Sequence, residues 1–253
     1  MRRTSAALTL VALATLACSG GDQPSDTAAA AASDTAATAT PPAGATGAAA
    51  GGDADRSVAG GGIAVAGWQG KADKADASIN DSRFATSNGG NIDVKTGPAG
   101  IFWNASNTAS GNYEIKATFT EHKQNADHPH AYGLFIGGSD LDTANQAYAY
   151  CIAYGDGTYS VKYFNGAKVT NVVNREQSAA VRKADANGTA TNEVGWRVRN
   201  GNASCVINGQ EVKSWPASQL TGAGKLKSLD GIYGVRVSDN IDVSMSPITM
   251  TKL

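Results

Sequence analysis

Residues 121–130, EHKQNADHPH, hold all three histidines of the chain together with the carboxylates Glu121 and Asp127. Imidazole titrates near neutrality and carboxylates take up protons or bind cations. This loop could therefore run acid–base chemistry or hold a divalent metal. His128-x-His130 presents both rings to one side only if the segment is extended, and Pro129 permits that conformation. Spacing supplies no third ligand, so a solvated loop joining two strands accounts for the same residues. Asp140 and Asp142, in SDLD, add oxygen donors that could help hold calcium. Without a fuller run of oxygen ligands, ordinary turn capping explains them more simply. No other cofactor is expected.

The elements that must position these residues begin after a long non-globular stretch. Met1-Arg2-Arg3 is a short positive segment, and residues 6–17 (AALTLVALATLA) are apolar over the length of an export signal but too short to span a bilayer. Leu16-Ala17-Cys18-Ser19 resembles a bacterial lipobox, with Thr15 where Leu is more usual. That resemblance implies cleavage after residue 17 and lipid modification of Cys18. An ordinary signal peptide with a coincidental cysteine is the alternative. The following stretch to residue 57 contains no aromatic, Val, Ile, Leu or Met between Gly20 and Arg56. It cannot bury enough apolar surface to offset its ordering entropy, so a tether is expected over 18–57 and a folded domain over 58–253.

Within 58–253 the signals are those of β-structure. Residues 131–166 contain three apolar runs (131–136, 147–154 and 159–164) separated by Gly-Gly and by Gly155-Asp156-Gly157, which reads as an antiparallel meander with a tight hairpin at 154–158. Residues 111–120 alternate strictly. Tyr113, Ile115, Ala117 and Phe119 face one way and Glu114, Lys116, Thr118 and Thr120 the other, so one face is buried and one wet. Further strands are expected at 63–68, 91–95, 101–103, 169–173, 193–198, 203–207, 210–215, 231–237 and 241–250, and no helix of ten residues. So many short strands in one domain require two packed sheets, an all-β, two-layer antiparallel sandwich.

Composition agrees. The chain has 30 Gly and only 17% charged residues, and its 21 Lys and Arg nearly balance 22 Asp and Glu. That balance argues against a nucleic-acid binder. Cys151 and Cys205 each fall in an expected strand. Export, with Cys18 acylated, leaves an even count that could form a disulfide, or two separate buried thiols. Trp68, Trp103, Trp196 and Trp215, with Tyr148, Tyr150, Tyr154 and Tyr159, could stack on sugars. Core packing is the commoner use of such rings.

Several motifs together resemble the concanavalin A-like, laminin G-like jelly-roll superfamily, most nearly the DUF1080-type (3-keto-disaccharide hydrolase-like) bacterial proteins. They are Gly67-Trp68-Gln69-Gly70, residues 97–103 (GPAGIFW), residues 132–138 (YGLFIGG), Ile207-Asn208-Gly209 and Gly234-Val235-Arg236-Val237. The resemblance implies the fold. His128, His130, Tyr132 and Asp239 are the candidate ligand contacts; comparison with similar sequences suggests that His130 pairs with Asp239 and places Cys151 and Cys205 where Phe is usual. The Glu-x-Asp-x-x-Glu strand of family-16 glycosidases is absent, which disfavours retaining hydrolysis by that route. The expectation is a lipid-anchored, non-catalytic module of the cell envelope (outer membrane or periplasm in a Gram-negative cell) that binds a glycan or a protein. A hydrolase acting on sugar derivatives and a structural envelope protein are the alternatives.

Overall fold

The computed structural model describes residues 54–253, so Cys18, the expected export signal and most of the expected tether lie outside the described residues. The described chain forms sixteen strands: β1 (Gly62–Ile63), β2 (Trp68–Ala72), β3 (Arg83–Thr86), β4 (Ile92–Lys95), β5 (Gly100–Ala109), β6 (Tyr113–Glu121), β7 (Ala131–Ser139), β8 (Ala147–Tyr154), β9 (Thr158–Asn165), β10 (Lys168–Gln177), β11 (Ala190–Arg199), β12 (Asn202–Ile207), β13 (Gln210–Pro216), β14 (Gly231–Val237), β15 (Asp242–Met245) and β16 (Thr249–Lys252). One helical turn, α1 (Ala217–Leu220), follows β13. No helix among the described residues is long and apolar enough to cross a membrane.

The strands form two sheets. One has nine strands in the order β1-β3-β4-β15-β6-β11-β12-β13, with β16 also on β6; the other has seven in the order β10-β9-β8-β7-β14-β5-β2. Every pairing is antiparallel except β1 with β3. The expected meander is the β7-β8-β9 run, and its hairpin turns at Gly157 (φ +92°). Two expected strands are each two strands instead. Residues 63–68 break at Gly67 (φ +76°), which leaves Ile63 in β1 and starts β2 at Trp68. Residues 241–250 break around Pro247, which has no N–H to give a ladder.

Between the sheets lies one core. Phe102, Tyr132, Leu134, Cys151, Tyr159, Val161 and Val235 face it from the seven-stranded layer, and Phe84, Tyr113, Ile115, Phe119, Trp196 and Cys205 from the other. Trp196 donates its Nε1–H to Leu134 O (3.0 Å), so the large ring is buried with its polar atom satisfied. Cys151 and Cys205, both fully buried, are joined by a disulfide with Cα atoms 5.9 Å apart, which ties β8 of one sheet to β12 of the other. Closing this loop of 54 residues contributes about 4 kcal/mol by restricting the unfolded chain.

Opposite the core, the seven-stranded sheet carries a second apolar cluster: Ile101, Trp103, Phe135, Tyr148, Tyr150, Ile152, Tyr154 and Phe164. This explains why residues 147–154 contain no polar break. β8 is buried on both faces, with alanines and Cys151 to the core and three tyrosines and Ile152 to the other side. The candidate stacking rings are therefore packed rather than displayed. Trp103 and Tyr150 are each 3% exposed, Trp215 is buried, and Trp68 lies half-buried against Phe84.

Candidate functional site

The register of β14 on β7 sets the first pair. Val237 lies opposite Tyr132 and Ser238 N donates to Ala131 O, so the next antiparallel step brings Asp239 to His130. His130 Nδ1 lies 3.6 Å from Asp239 Oδ1, within ion-pair distance. Burial pushes the Asp239 carboxyl up, but His130 outweighs it and holds the group below its ordinary range. The turn that carries Asp239 is fixed. Thr96 Oγ1 donates to Ser238 O (2.7 Å) and accepts from Ile241 N (3.1 Å), and Asn240 adopts φ +50°.

Glu121 joins them from the other sheet. It ends β6, and the period-two alternation that buries Tyr113, Ile115, Ala117 and Phe119 carries one step further to place its carboxylate inward. It is 1% exposed, and Oε2 has no hydrogen-bond partner among the described residues. Glycine at 155 leaves room for it, since a Cβ there would come within 2.6 Å of Oε2. Burial raises the Glu121 pKa to about 7, against the opposing pull of His130.

Around this pair the loop 122–130 is pinned. His122 N donates to Asp242 O, Gln124 N to Gly188 O, and Asn125 Oδ1 accepts from Asp127 N and His128 N. Arg56 closes the far wall, its Nη2 donating to Asn240 O (2.7 Å) and Ile241 O (3.0 Å) and its Nε to Thr96 O (3.2 Å). Contacts with the sandwich thus begin within the stretch expected as tether. Glu121, Lys123, Gln124, Asn125, His130 and Arg56 line an open cavity of about 420 Å³.

A second cavity, of about 390 Å³, shares His130 and adds Asp127, His128, Tyr154, Arg175 and Asp239. Arg175 reaches it because β10 bulges between Val173 and Glu176, with Arg175 itself at φ +53°. A non-glycine residue in that conformation costs about 1 kcal/mol, and bulges of this kind re-aim a side chain. Here the guanidinium stands 4.0 Å over the Tyr154 ring, and Nη2 donates to Asp156 Oδ2 (2.5 Å).

The structure sorts the expected site residues. It brings His128, His130 and Asp239 together; the two imidazoles lie 5.1 Å apart, centre to centre. Tyr132 lies apart from them. Its ring is fully buried against Phe119, and its hydroxyl accepts from Asn192 Nδ2 (2.9 Å), because position 132 falls on the core side of β7. Asp140 pairs with Lys227 (2.8 Å) in a turn, and Asp142 lines a separate cavity beside Lys71 and Phe164. No group of three His, Cys, Asp or Glu among the described residues could hold a metal. Glu121 lay within the loop singled out above. Its role shows in the sequence only by counting the β6 alternation past Phe119.

No protein-family model and no curated protein matches the chain. Among solved structures, a Bacillus subtilis protein of unknown function with a galectin-like fold superposes with a TM-score of 0.50 at 12% identity, covering 73% of this chain and 89% of that one. The carbohydrate-binding module CBM66 of Bacillus subtilis gives 0.48 at 12% identity, over 74% and 96% of the two chains. Alginate lyase A1-II′, of polysaccharide lyase family 7, gives 0.47 at 15%, over 67% and 82%. The first comparison shows a shared galectin-like sandwich and, at that identity, nothing beyond the fold.

Proposed function

We propose that this chain is a glycan-binding β-sandwich whose ligand seats at the edge formed by β6, the 122–130 loop and the 239–241 turn. The observation that carries the reading is the buried Glu121 carboxylate with an unpartnered oxygen, set in a cavity whose wall mixes imidazole, amide and cationic groups with alanine and isoleucine. Sugar hydroxyls both donate and accept, so a polyol can answer Glu121 on one side and Lys123, Gln124 and Asn125 on the other. The adjoining cavity across His130 provides room for a second ring. The export signal and Cys18 support display on the cell envelope by a lipid anchor.

A glycan-array screen of the mature chain tests this. Binding to at least one glycan, weakened tenfold or more by His130→Ala, is expected; silence across the array overturns it. Replacement of Cys18 by Ser should release the protein from the membrane fraction, and unchanged retention would remove the anchor.

One observation favours a second reading, a hydrolase acting on sugar derivatives. A carboxyl whose pKa lies about 7 next to a His–Asp pair is suited to proton transfer. Release of sugar from 3-keto-glycosides that Glu121→Gln abolishes, with binding retained, would establish it. Binding without turnover would leave the module non-catalytic.

A further inference from the structure

The outward side of the seven-stranded sheet carries more positive charge than it answers. Arg175 is paired with Asp156, and Arg236 with Asp73 through two hydrogen bonds of 2.5 and 2.6 Å. Between them sits Lys162 on β9, half-buried, whose ammonium has no ion pair or hydrogen bond among the described residues. It lies opposite Tyr150 on β8 and two residues before Phe164, the rings over which the Arg236 guanidinium stands at 5.0 and 5.7 Å. Burial first, then the fields of Arg236 and Arg175, push the Lys162 ammonium below its ordinary range. Two further buried groups on this side, Arg236 Nε and the Tyr148 hydroxyl, make no well-formed hydrogen bond among the described residues, although the Arg236 charge acts on Tyr148.

The charge at Lys162 does not help folding. A third cation here carries both a desolvation cost and repulsion, and an apolar residue at 162 would relieve the two together. The stripe is also placed for a ligand. At one end Arg175 and Tyr154 line the cavity of about 390 Å³ beside His130; at the other Asp73 and Phe164 line a cavity of about 340 Å³.

We infer that the glycan taken by this chain is acidic, and that the carboxylate of a uronic-acid unit is received by Lys162 between Arg175 and Arg236. The inference rests on the glycan-binding reading above and names the class of sugar. Within the stripe, Arg175, Lys162 and Arg236 against Asp156 and Asp73 leave one positive charge, at Lys162, which a singly charged sugar acid matches; Asp127 and Asp239 line the cavity at one end, and Lys71 and Asp142 the cavity at the other.

The test is calorimetric titration of the full mature chain with oligogalacturonate, oligomannuronate and a hyaluronan fragment, each beside its carboxyl methyl ester. The ester keeps the skeleton and loses the charge. At least one acid should bind ten times more tightly than its ester; Lys162→Met should erase that preference, and Lys162→Arg should keep it. Far-UV circular dichroism confirms that both variants fold, as expected for a half-buried position. Equal binding of acid and ester, or a preference that survives Lys162→Met, overturns the inference while glycan binding stands. Silence toward every acid, every ester and the neutral array overturns both.

Discussion

The two sheets present outer faces of opposite character. On the nine-stranded sheet the outward residues of β6 and β11 are paired across strands. Arg197 Nε donates to Glu114 Oε2 (2.5 Å), Lys116 meets Glu193 (3.1 Å), and Thr120 bonds Thr191 (3.0 Å), all partly exposed. This is an ordinary wet surface in which each of these groups has its answer. The outward face of the seven-stranded sheet holds aromatic rings, a buried Arg236–Asp73 pair, a bulge that costs backbone energy at Arg175, and Lys162 with no ion pair or hydrogen bond among the described residues. One face is finished by folding alone. The other keeps groups that folding leaves unsatisfied, and these lie between Arg175, at the edge of a His130 cavity, and Asp73, in the cavity at the opposite end. Under the acidic-glycan inference, the ligand carboxylate is what completes these groups.

The contrast can be broken in order of size. The bridge that holds the faces back to back comes first: reduction, or Cys151→Ala with Cys205→Ala, should cost about 4 kcal/mol. In thermal unfolding that is a fall on the order of 10 °C; an unchanged midpoint would mean the thiols are separate in the protein.

Next is the pH dependence set by Glu121. Its folded pKa is raised, to about 7, so between about pH 4.5 and 7 the unfolded chain releases a proton that the folded one keeps. Stability should therefore decline as pH rises through that window, by about 3 kcal/mol at most, and level off above it. Urea unfolding of Glu121→Gln should lack that slope. A variant that retains it would assign the titration to another group.

A smaller pair of effects compares the two faces directly. Asp73→Ala leaves the buried Arg236 charge unanswered and should cost about 2–3 kcal/mol, below the fully buried range because Asp73 is 24% exposed. Glu114→Ala on the other face should cost about 0.5 kcal/mol. Equal losses in denaturant titrations would erase the distinction between a buried pair and a surface one.

Much of this was legible in the sequence, for physical reasons that differ by element. The strict alternation of β6 announced a strand with one wet face, and the unbroken apolar run of β8 announced one buried on both. Gly155-Asp156-Gly157 fixed a hairpin because a positive φ was needed at Gly157. His130 with Asp239 was reachable only through the family resemblance, since register between β7 and β14 cannot be counted from a chain that separates them by a hundred residues. Arg236 with Asp73 was not reachable at all. The pair spans 163 positions, and GIYGVRV shows only that Arg236 shares a face with Gly234 and Ile232. The bulge that aims Arg175 left no pattern in VTNVVNREQ, and parity alone placed Tyr132 in the core, apart from the other candidate ligand contacts.

The most direct measurement is an NMR titration of the mature chain with its best array ligand, mapping perturbed backbone amides. Shifts should gather at residues 121–130, 154–162, 173–177 and 236–241, with the outward faces of β6 and β11 silent. Shifts concentrated on that nine-stranded face, with the His130 edge unmoved, would contradict the account.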